Sequence, residues 1–219
     1  MDKRSGQPDF RYEIKYRLEQ VGRGVVLQTL QNHPASFRSL FPDRIVNNIY
    51  FDTPDLSSYK DNVIGIADRQ KLRVRWYGEQ KNTVEGAQLE VKIKSNQLGY
   101  KKILSMPNFS FEELAPLTKL VNEKSSLLLQ PTLVNRYLRS YYGSNDGKFR
   151  ITIDQELAYF SFYTRQVFDR FTHQEEVLVV ELKYAAADEA ASEFIKQYLP
   201  FRQTKSSKYV NGIQLCLLN

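Results

Sequence analysis

Residues 71–77 have the sequence KLRVRWY, in which charged and apolar side chains alternate. Lys71, Arg73 and Arg75 share one parity, and apolar residues occupy the positions between them. Successive side chains of a β-strand point to opposite faces of its sheet. This stretch therefore predicts a strand with one basic face and one apolar face.

The same alternation recurs along the chain, with acidic residues joining the charged parity. Glu90 and Lys92 alternate with apolar residues, and so do Glu181 and Lys183. Runs of this kind between turn residues are typical of antiparallel strands. We predict strands at 11–18, 44–52, 68–77, 87–95, 99–104, 133–143, 148–154, 157–164 and 175–184. Helical periodicity predicts helices at 20–33, 55–62, 110–128, 186–198 and 206–217.

A charged strand face has two interpretations. It can be the solvent side of a sheet whose apolar side packs on helices. If the sheet closes into a barrel, the same side chains converge in a lumen, where their positive charge repels itself unless carboxylates or a bound polyanion answer it. Arginine and lysine in the middle of strands favour the barrel, but alternation alone leaves both interpretations open.

The composition excludes several classes of protein. The 219 residues are 42% hydrophobic and 26% charged, and no apolar run is long enough to span a bilayer. One cysteine and two histidines exclude an internal disulfide and leave little for a zinc enzyme. The first residues lack the apolar segment of a signal peptide, so we expect a cytoplasmic protein. We also expect a single domain over 1–219, with 1–9 flexible.

The net charge of +6, from 31 Lys and Arg against 25 Asp and Glu, suits a polyanionic ligand. The sequence has no Walker-type phosphate loop, so a phosphate site needs another design. We do not expect nucleic acid as a partner, because a nucleic-acid-binding groove would carry basic residues on exposed helices or loops rather than at alternating strand positions.

Eight motifs follow one another along the chain: RYEIKY (11–16), IYFDTPD (49–55), KLRVRWYG (71–78), LEVKIK (89–94), RYLRSYY (136–142), FRITID (149–154), VVELKY (179–184) and SSKYVNG (206–212). In this order they resemble the VTC domain, the catalytic domain of the vacuolar transporter chaperone polyphosphate polymerases. That domain belongs to the triphosphate tunnel metalloenzymes, which include CYTH-type triphosphatases and class IV adenylate cyclases. The resemblance implies an α+β fold, a closed eight-stranded antiparallel β-barrel with a basic tunnel inside and helices packed outside.

The resemblance also implies roles for residues at the matching positions. Phosphoryl transfer needs groups that position phosphates and neutralise their charge, which arginine, lysine and a metal can do. Glu181 matches a carboxylate that binds Mn²⁺ or Mg²⁺. The positions matching catalytic residues are Lys15, Arg73, Arg75, Lys92 and Lys208. Those matching substrate-binding residues are Arg139, Arg150, Lys183 and Ser207.

The implied activity is a phosphotransferase reaction, the transfer of the γ-phosphate of ATP to a growing inorganic polyphosphate chain. Arg11 stands where the broader superfamily has the first Glu of E-x-E-x-K, and fewer carboxylates favour polyphosphate handling over hydrolysis. The alternatives are a hydrolase of tripolyphosphate or nucleoside triphosphates, and a non-catalytic polyanion-binding module. We expect ATP and polyphosphate or tripolyphosphate as partners. A membrane partner and the oligomeric state stay open.

Other residues are predicted to be structural. Trp76 is expected to pack in the core, and Asp52 and Asp55 to form a turn and cap the following helix. Tyr100, Lys101 and Lys102 are expected to form a solvated strand edge, and the alternative is that they approach a tunnel mouth.

Overall fold

The computed structural model describes residues 11–79, 82–95, 98–164 and 168–217. The predicted flexible segment, 1–9, lies outside these residues. Eight antiparallel strands form one closed barrel, which confirms the predicted fold. Around the barrel the strands follow the order β1-β6-β5-β3-β2-β8-β9-β11, and β11 pairs again with β1. They are β1 (Arg11–Glu19), β2 (Arg38–Asp52), β3 (Arg69–Tyr77), β5 (Gln88–Ser95), β6 (Leu98–Ser105), β8 (Gln130–Gly143), β9 (Arg150–Ser161) and β11 (Val177–Ala185).

Three short strands and five helices complete the described fold. Strand β10 (His173–Glu175) pairs with β9, and β4 (Thr83–Val84) pairs with β7 (Phe109–Ser110). A 3₁₀ turn at Ala186–Asp188 precedes the fourth helix. The helices are α1 (Arg23–Gln31), α2 (Ser57–Ile64), α3 (Ala115–Asn122), α4 (Glu189–Gln197) and α5 (Lys208–Leu217). In the described residues, no helix is both long and apolar enough to cross a membrane.

Several predicted elements were wrong in extent, and β2, expected at 44–52, begins at Arg38. The strands expected at 148–154 and 157–164 are the single strand β9, interrupted by a bulge where Glu156 has a φ of 55°. The helix expected over 110–128 is only α3, with Pro116 in its first turn, where a missing N–H breaks no helical hydrogen bond.

The apolar parity of each strand faces outward, because the helices cover the barrel from outside. Ile14, Tyr16 and Leu18 of β1 pack in one core with residues of α1 and α4. Leu72, Val74 and Trp76 of β3 pack in a second core with α3. Trp76 is therefore a packing residue, as predicted. This arrangement leaves the charged parity facing the lumen.

Helix α5 covers one end of the lumen. Tyr209 and Ile213 of α5 pack with Leu133, Tyr159 and other inward-facing side chains of the barrel wall in a third core. The helix lies so close to the wall that a Cβ at Gly212 would be 2.5 Å from Tyr159 Cδ1 and 2.6 Å from Leu133 Cδ2.

Replacing Gly212 by Ala should therefore destabilise the protein by about 1–3 kcal/mol, the usual cost of overpacking. Urea unfolding measures the change. Gly24→Ala is the control, because its Cβ would meet nothing within 4 Å inside α1. We expect it to stabilise by up to about 1 kcal/mol through helix propensity. Equal effects of the two changes would contradict the close packing of α5.

Candidate functional site

The lumen is lined by charged side chains from seven of the eight barrel strands and from α5. The strand registers place these residues on one face, because directly paired residues share a face. Four carboxylates stand among the cations, and each is paired. They are Glu13, Glu90, Asp154 and Glu181.

Glu90 holds the arginine pair of β3. Arg73 donates to Glu90 Oε2 through Nε and Nη2, at 2.8 and 2.6 Å. Lys101 Nζ lies 3.0 Å from Glu90 Oε1, and Arg75 Nη1 lies 3.7 Å from the same oxygen. Burial opposes ionisation of Glu90, but Arg73, Arg75 and Lys101 lower its pKa below the ordinary range. Lys101 is exposed, as predicted for a solvated strand edge, and its side chain also shares the lumen face with Lys92 and pairs with Glu90.

Asp154 and Glu181 form a second centre. Arg139 donates to both oxygens of Asp154, at 2.5 and 2.7 Å, and Lys208 Nζ lies 2.5 Å from Oδ2. Glu181 contacts Lys183 at 2.9 Å, and Lys208 and Arg139 at 3.5 Å each. Burial alone would raise the pKa of Glu181, but the surrounding cations lower it well below its usual value.

Glu13 forms a third centre with lysines. Lys92 forms a salt bridge with it, and Lys15 and Lys183 lie 3.7 and 3.8 Å away. Loss of hydration lowers the pKa of Lys92 to about 8 against the attraction of Glu13, and Lys15 and Lys183 contribute to the decrease.

Lys71 has a different environment. Its Nζ donates to Ser207 Oγ at 2.9 Å. Within the described residues it forms no salt bridge. Burial lowers its pKa well below the ordinary value, and the neighbouring cations, Lys15 and Lys92 foremost, lower it further. A bound polyanion would relieve this repulsion.

Tyr137 lies beneath the cations of the second centre. Its hydroxyl accepts from Arg75 Nη2 at 3.1 Å, and Lys208 Nζ lies 4.8 Å from the ring centroid. Burial disfavours the phenolate, but Arg139, Arg75 and Lys208 lower the pKa of the phenol. Cation–π attraction thus helps to hold Lys208 in place.

Asp52 fixes the helix that carries Lys208. Its carboxylate accepts from the N–H groups of Ser58 and Tyr59 in the first turn of α2 and from Tyr209 Oη, at 2.6 Å. The predicted capping role of Asp52 is therefore confirmed, and the same residue also ties α2 to α5.

The structure brings together nearly all the residues predicted from the sequence. Arg150 is the exception: it is exposed at the start of β9, where it pairs with Lys183 in register on the lumen face. Sequence reasoning did not select Glu13, Glu90, Asp154, Lys101 and Tyr137. The alternation of charged and apolar residues indicated a lumen position for Glu90 and Asp154. Nothing in the local sequence distinguishes Tyr137 from a core tyrosine. The predicted residues that converge are Lys15, Arg73, Arg75, Lys92, Arg139, Lys183, Ser207 and Lys208, with Glu181.

The lumen carboxylates suit a metal ion whose coordination is completed by substrate phosphates. The described residues contain no group of three or more His, Cys, Asp or Glu side chains suited to a metal ion. Glu13 and Glu181 are neighbours, since both contact Lys15 and Lys183. Mg²⁺ is commonly held by one or two carboxylates together with substrate phosphates and water. The site suits a cation that arrives with phosphate.

A closed eight-stranded antiparallel barrel with a basic lumen defines the triphosphate tunnel fold, and solved structures share it. One is a candidate adenylate cyclase from Vibrio parahaemolyticus, with a TM-score of 0.55, 14% identity and coverage of 94% of this chain and 99% of that one. Another is a protein from Pyrococcus horikoshii, with a TM-score of 0.53, 13% identity and coverage of 94% and 98%. A third, from Hippeastrum, is described as a candidate adenylyl cyclase with a dominant triphosphatase activity; its TM-score is 0.50, at 13% identity and coverage of 95% and 96%.

The model of the VTC domain matches residues 10–217, and the chain therefore belongs to the VTC domain family. The resemblance found in the sequence motifs is confirmed. A search of curated proteins found no match.

The depressed pKa of Lys92 predicts proton uptake on anion binding. At about pH 9 the free amine is mostly neutral, because its pKa is about 8. A bound polyanion favours the charged form of Lys92 and raises this pKa. Binding of tripolyphosphate should therefore be accompanied by uptake of more protons by the protein at about pH 9 than at about pH 7. Calorimetry in buffers of different ionisation enthalpy measures the uptake. Lys92→Met is the control that removes the contribution of Lys92 alone, and an unchanged uptake in this variant would contradict the assignment.

Proposed function

We propose that this protein is a polyphosphate polymerase that transfers the γ-phosphoryl group of ATP to the end of an inorganic polyphosphate chain. The observation that carries the proposal is the surplus of lysine and arginine over carboxylate in a closed lumen, with Lys71 left among like charges. Membership of the VTC domain family supports an enzyme of polyphosphate chemistry.

Phosphate oxygens would bind by competing with the lumen carboxylates. Arg73 and Arg139 already bind carboxylates through two nitrogens each, and a phosphate offers the same pair of acceptors. Lys71 would give up only its hydrogen bond to the Ser207 hydroxyl in order to bind phosphate. A chain of phosphates would therefore lie along the lumen between β3 and the second centre.

In the proposed reaction, a terminal oxygen of the polyphosphate chain attacks the γ-phosphorus of ATP. The bond from that phosphorus to the β–γ bridging oxygen breaks, and ADP leaves with the electron pair. Arg73, Arg139 and Lys208 neutralise charge on both anions and hold them in line. A Mn²⁺ or Mg²⁺ ion beside Glu181 and Glu13 would supply further neutralisation of the phosphate oxygens.

The electrostatics favour a phosphate chain end over water as the nucleophile. Water needs a general base whose pKa lies near the working pH. Cations lower the pKa of all four lumen carboxylates, which makes each a weak base. A phosphate chain end is already an anion and needs only neutralisation.

A hydrolase of tripolyphosphate or nucleoside triphosphates is the second candidate. The Hippeastrum protein, which shares the fold, is described as having a dominant triphosphatase activity. Both reactions use the same triphosphate and the same cations, so their products must distinguish them.

Incubation with ATP and Mn²⁺ tests the proposal. We expect acid-insoluble polyphosphate, and ADP in excess of free phosphate at every time point. Gel electrophoresis resolves the chains, and chromatography quantifies ADP. If ADP forms with an equal amount of free phosphate and no chains appear, the protein is the hydrolase and the polymerase proposal is wrong.

Glu181→Gln should separate catalysis from binding. The variant removes a metal-binding carboxylate and frees Lys183, Lys208 and Arg139 for phosphate. Metal-dependent turnover should fall by about 10²-fold or more, while metal-free tripolyphosphate binding stays equal or becomes tighter. The matched control is Glu175→Gln, which removes another buried glutamate, one held by Arg17 and Tyr159. Full turnover in Glu181→Gln would show that the carboxylate does not serve the metal.

A further inference from the structure

A group of aromatic residues surrounds Arg44 on the same face as the lumen cations. The Arg44 guanidinium lies 5.1 Å from the Phe41 ring centroid and 5.8 Å from that of Tyr141. The two rings meet edge to face at 5.7 Å. Tyr77 stands two residues beyond Arg75 on β3, on the same parity. We call Phe41, Arg44, Tyr77 and Tyr141 the aromatic rim.

The aromatic rim is open to solvent. Phe41 is 46% exposed and Tyr77 is 45% exposed. Arg44 is also exposed, in the part of β2 that pairs with β8 but extends beyond the pairing with β3. Large exposed aromatics grouped around one arginine form a flat surface on which another ring can stack.

The aromatic rim is continuous with the ion-paired lumen. Arg44 pairs in register with Arg139, the arginine that holds Asp154. Tyr141 is two residues from Arg139 on the same strand, roughly 7 Å along it. Burial raises the pKa of Tyr141, whose neighbours include Arg139 and Tyr77. The aromatic rim therefore adjoins Arg139 of the second centre.

A buried hydroxyl without a partner lies between the two regions. Thr152 pairs in register with Tyr141 and shares its face. The side chain is 94% buried, since only 6% is exposed. Within the described structure, Thr152 Oγ1 has no hydrogen-bond partner. An orphaned buried hydroxyl is costly in a folded protein, and a ribose hydroxyl or phosphate oxygen at this position would satisfy it.

The other end of the lumen is covered by α5, and Lys208 at the start of this helix, the preceding Ser207 and Lys71 of β3 lie at that end. Charge is therefore deepest in the barrel, while stacking surfaces occur at the opposite end. A ligand with a charged tail and an aromatic head matches this distribution in one orientation.

We propose that the aromatic rim binds the base of a nucleoside triphosphate by stacking, so that the nucleotide enters the barrel with its phosphates first. The proposal rests on the proposed function, because it assumes that triphosphate lies in the lumen. It adds the orientation of the substrate and names the residues that distinguish a nucleotide from an inorganic phosphate chain.

Binding of ATP and of tripolyphosphate, each measured by calorimetry in metal-free buffer, tests the rim. Phe41→Ala should weaken ATP binding by roughly 5- to 50-fold, from the strength of base–aromatic stacking. Tripolyphosphate has no base, so its affinity should change less than about twofold. Tyr141→Leu keeps the apolar bulk without the flat ring and should show the same difference between ligands. Thermal unfolding verifies that each variant is folded.

The matched control is Phe194→Ala. Phe194 is a phenylalanine of similar exposure, 47%, but it lies on α4 outside the barrel. It should alter neither affinity. An equal loss of affinity for ATP and for tripolyphosphate in the two rim variants would overturn the proposal. Unchanged affinity for both ligands would overturn it as well. Wild-type protein that binds neither ligand would overturn the proposed function too, whereas ATP binding without chain synthesis would leave the rim intact and remove only the polymerase.

Discussion

Mutual repulsion among lysines and arginines inside a closed barrel is the constraint on which the rest of the structure depends. Two unit charges 4 Å apart interact by about 4 kcal/mol at an effective dielectric constant of 20. The four lumen carboxylates offset part of this energy, and each sits between cations from different strands. The cations outnumber these carboxylates, and among the described residues Lys71 has only the Ser207 hydroxyl as a partner, which makes the lumen a site that a polyanion completes.

The outer surface of the barrel follows from the same constraint. Where one parity of a strand is charged, only the other parity can supply a core, and the helices must pack outside to bury it. Helix α5 is different, because it covers the lumen and inserts Lys208 among the inward-facing acids. Asp52 couples this insertion to α2, so the buried carboxylate of the turn before α2 helps to determine where Lys208 lies.

Alternation predicted the barrel faces because a period of two is a local property of a strand. It therefore placed Arg73, Arg75 and Glu181 correctly without any knowledge of their partners. Partners across the lumen depend on closure and register, which explains why the pairing of Lys101 with Glu90 was missed. The bond between Tyr209 and Asp52 joins residues 157 positions apart, and no local pattern encodes it. The bulge in β9 was likewise misinterpreted as a strand end, since Glu156 breaks the alternation.

The pairing of β1 with β11 has a consequence for how the chain folds. Arg11 is paired with Ala185 and Glu19 with Val177, so the first described strand finds its main partner only after most of the sequence is available. Such long-range pairing is slow, because loop-closure entropy is lost before the contacts form. Until then β3, β5 and β6 can pair locally and expose a basic face. Polyanions in the surroundings would compete for that open face during folding, and the same charges that serve the finished site then become a kinetic hazard.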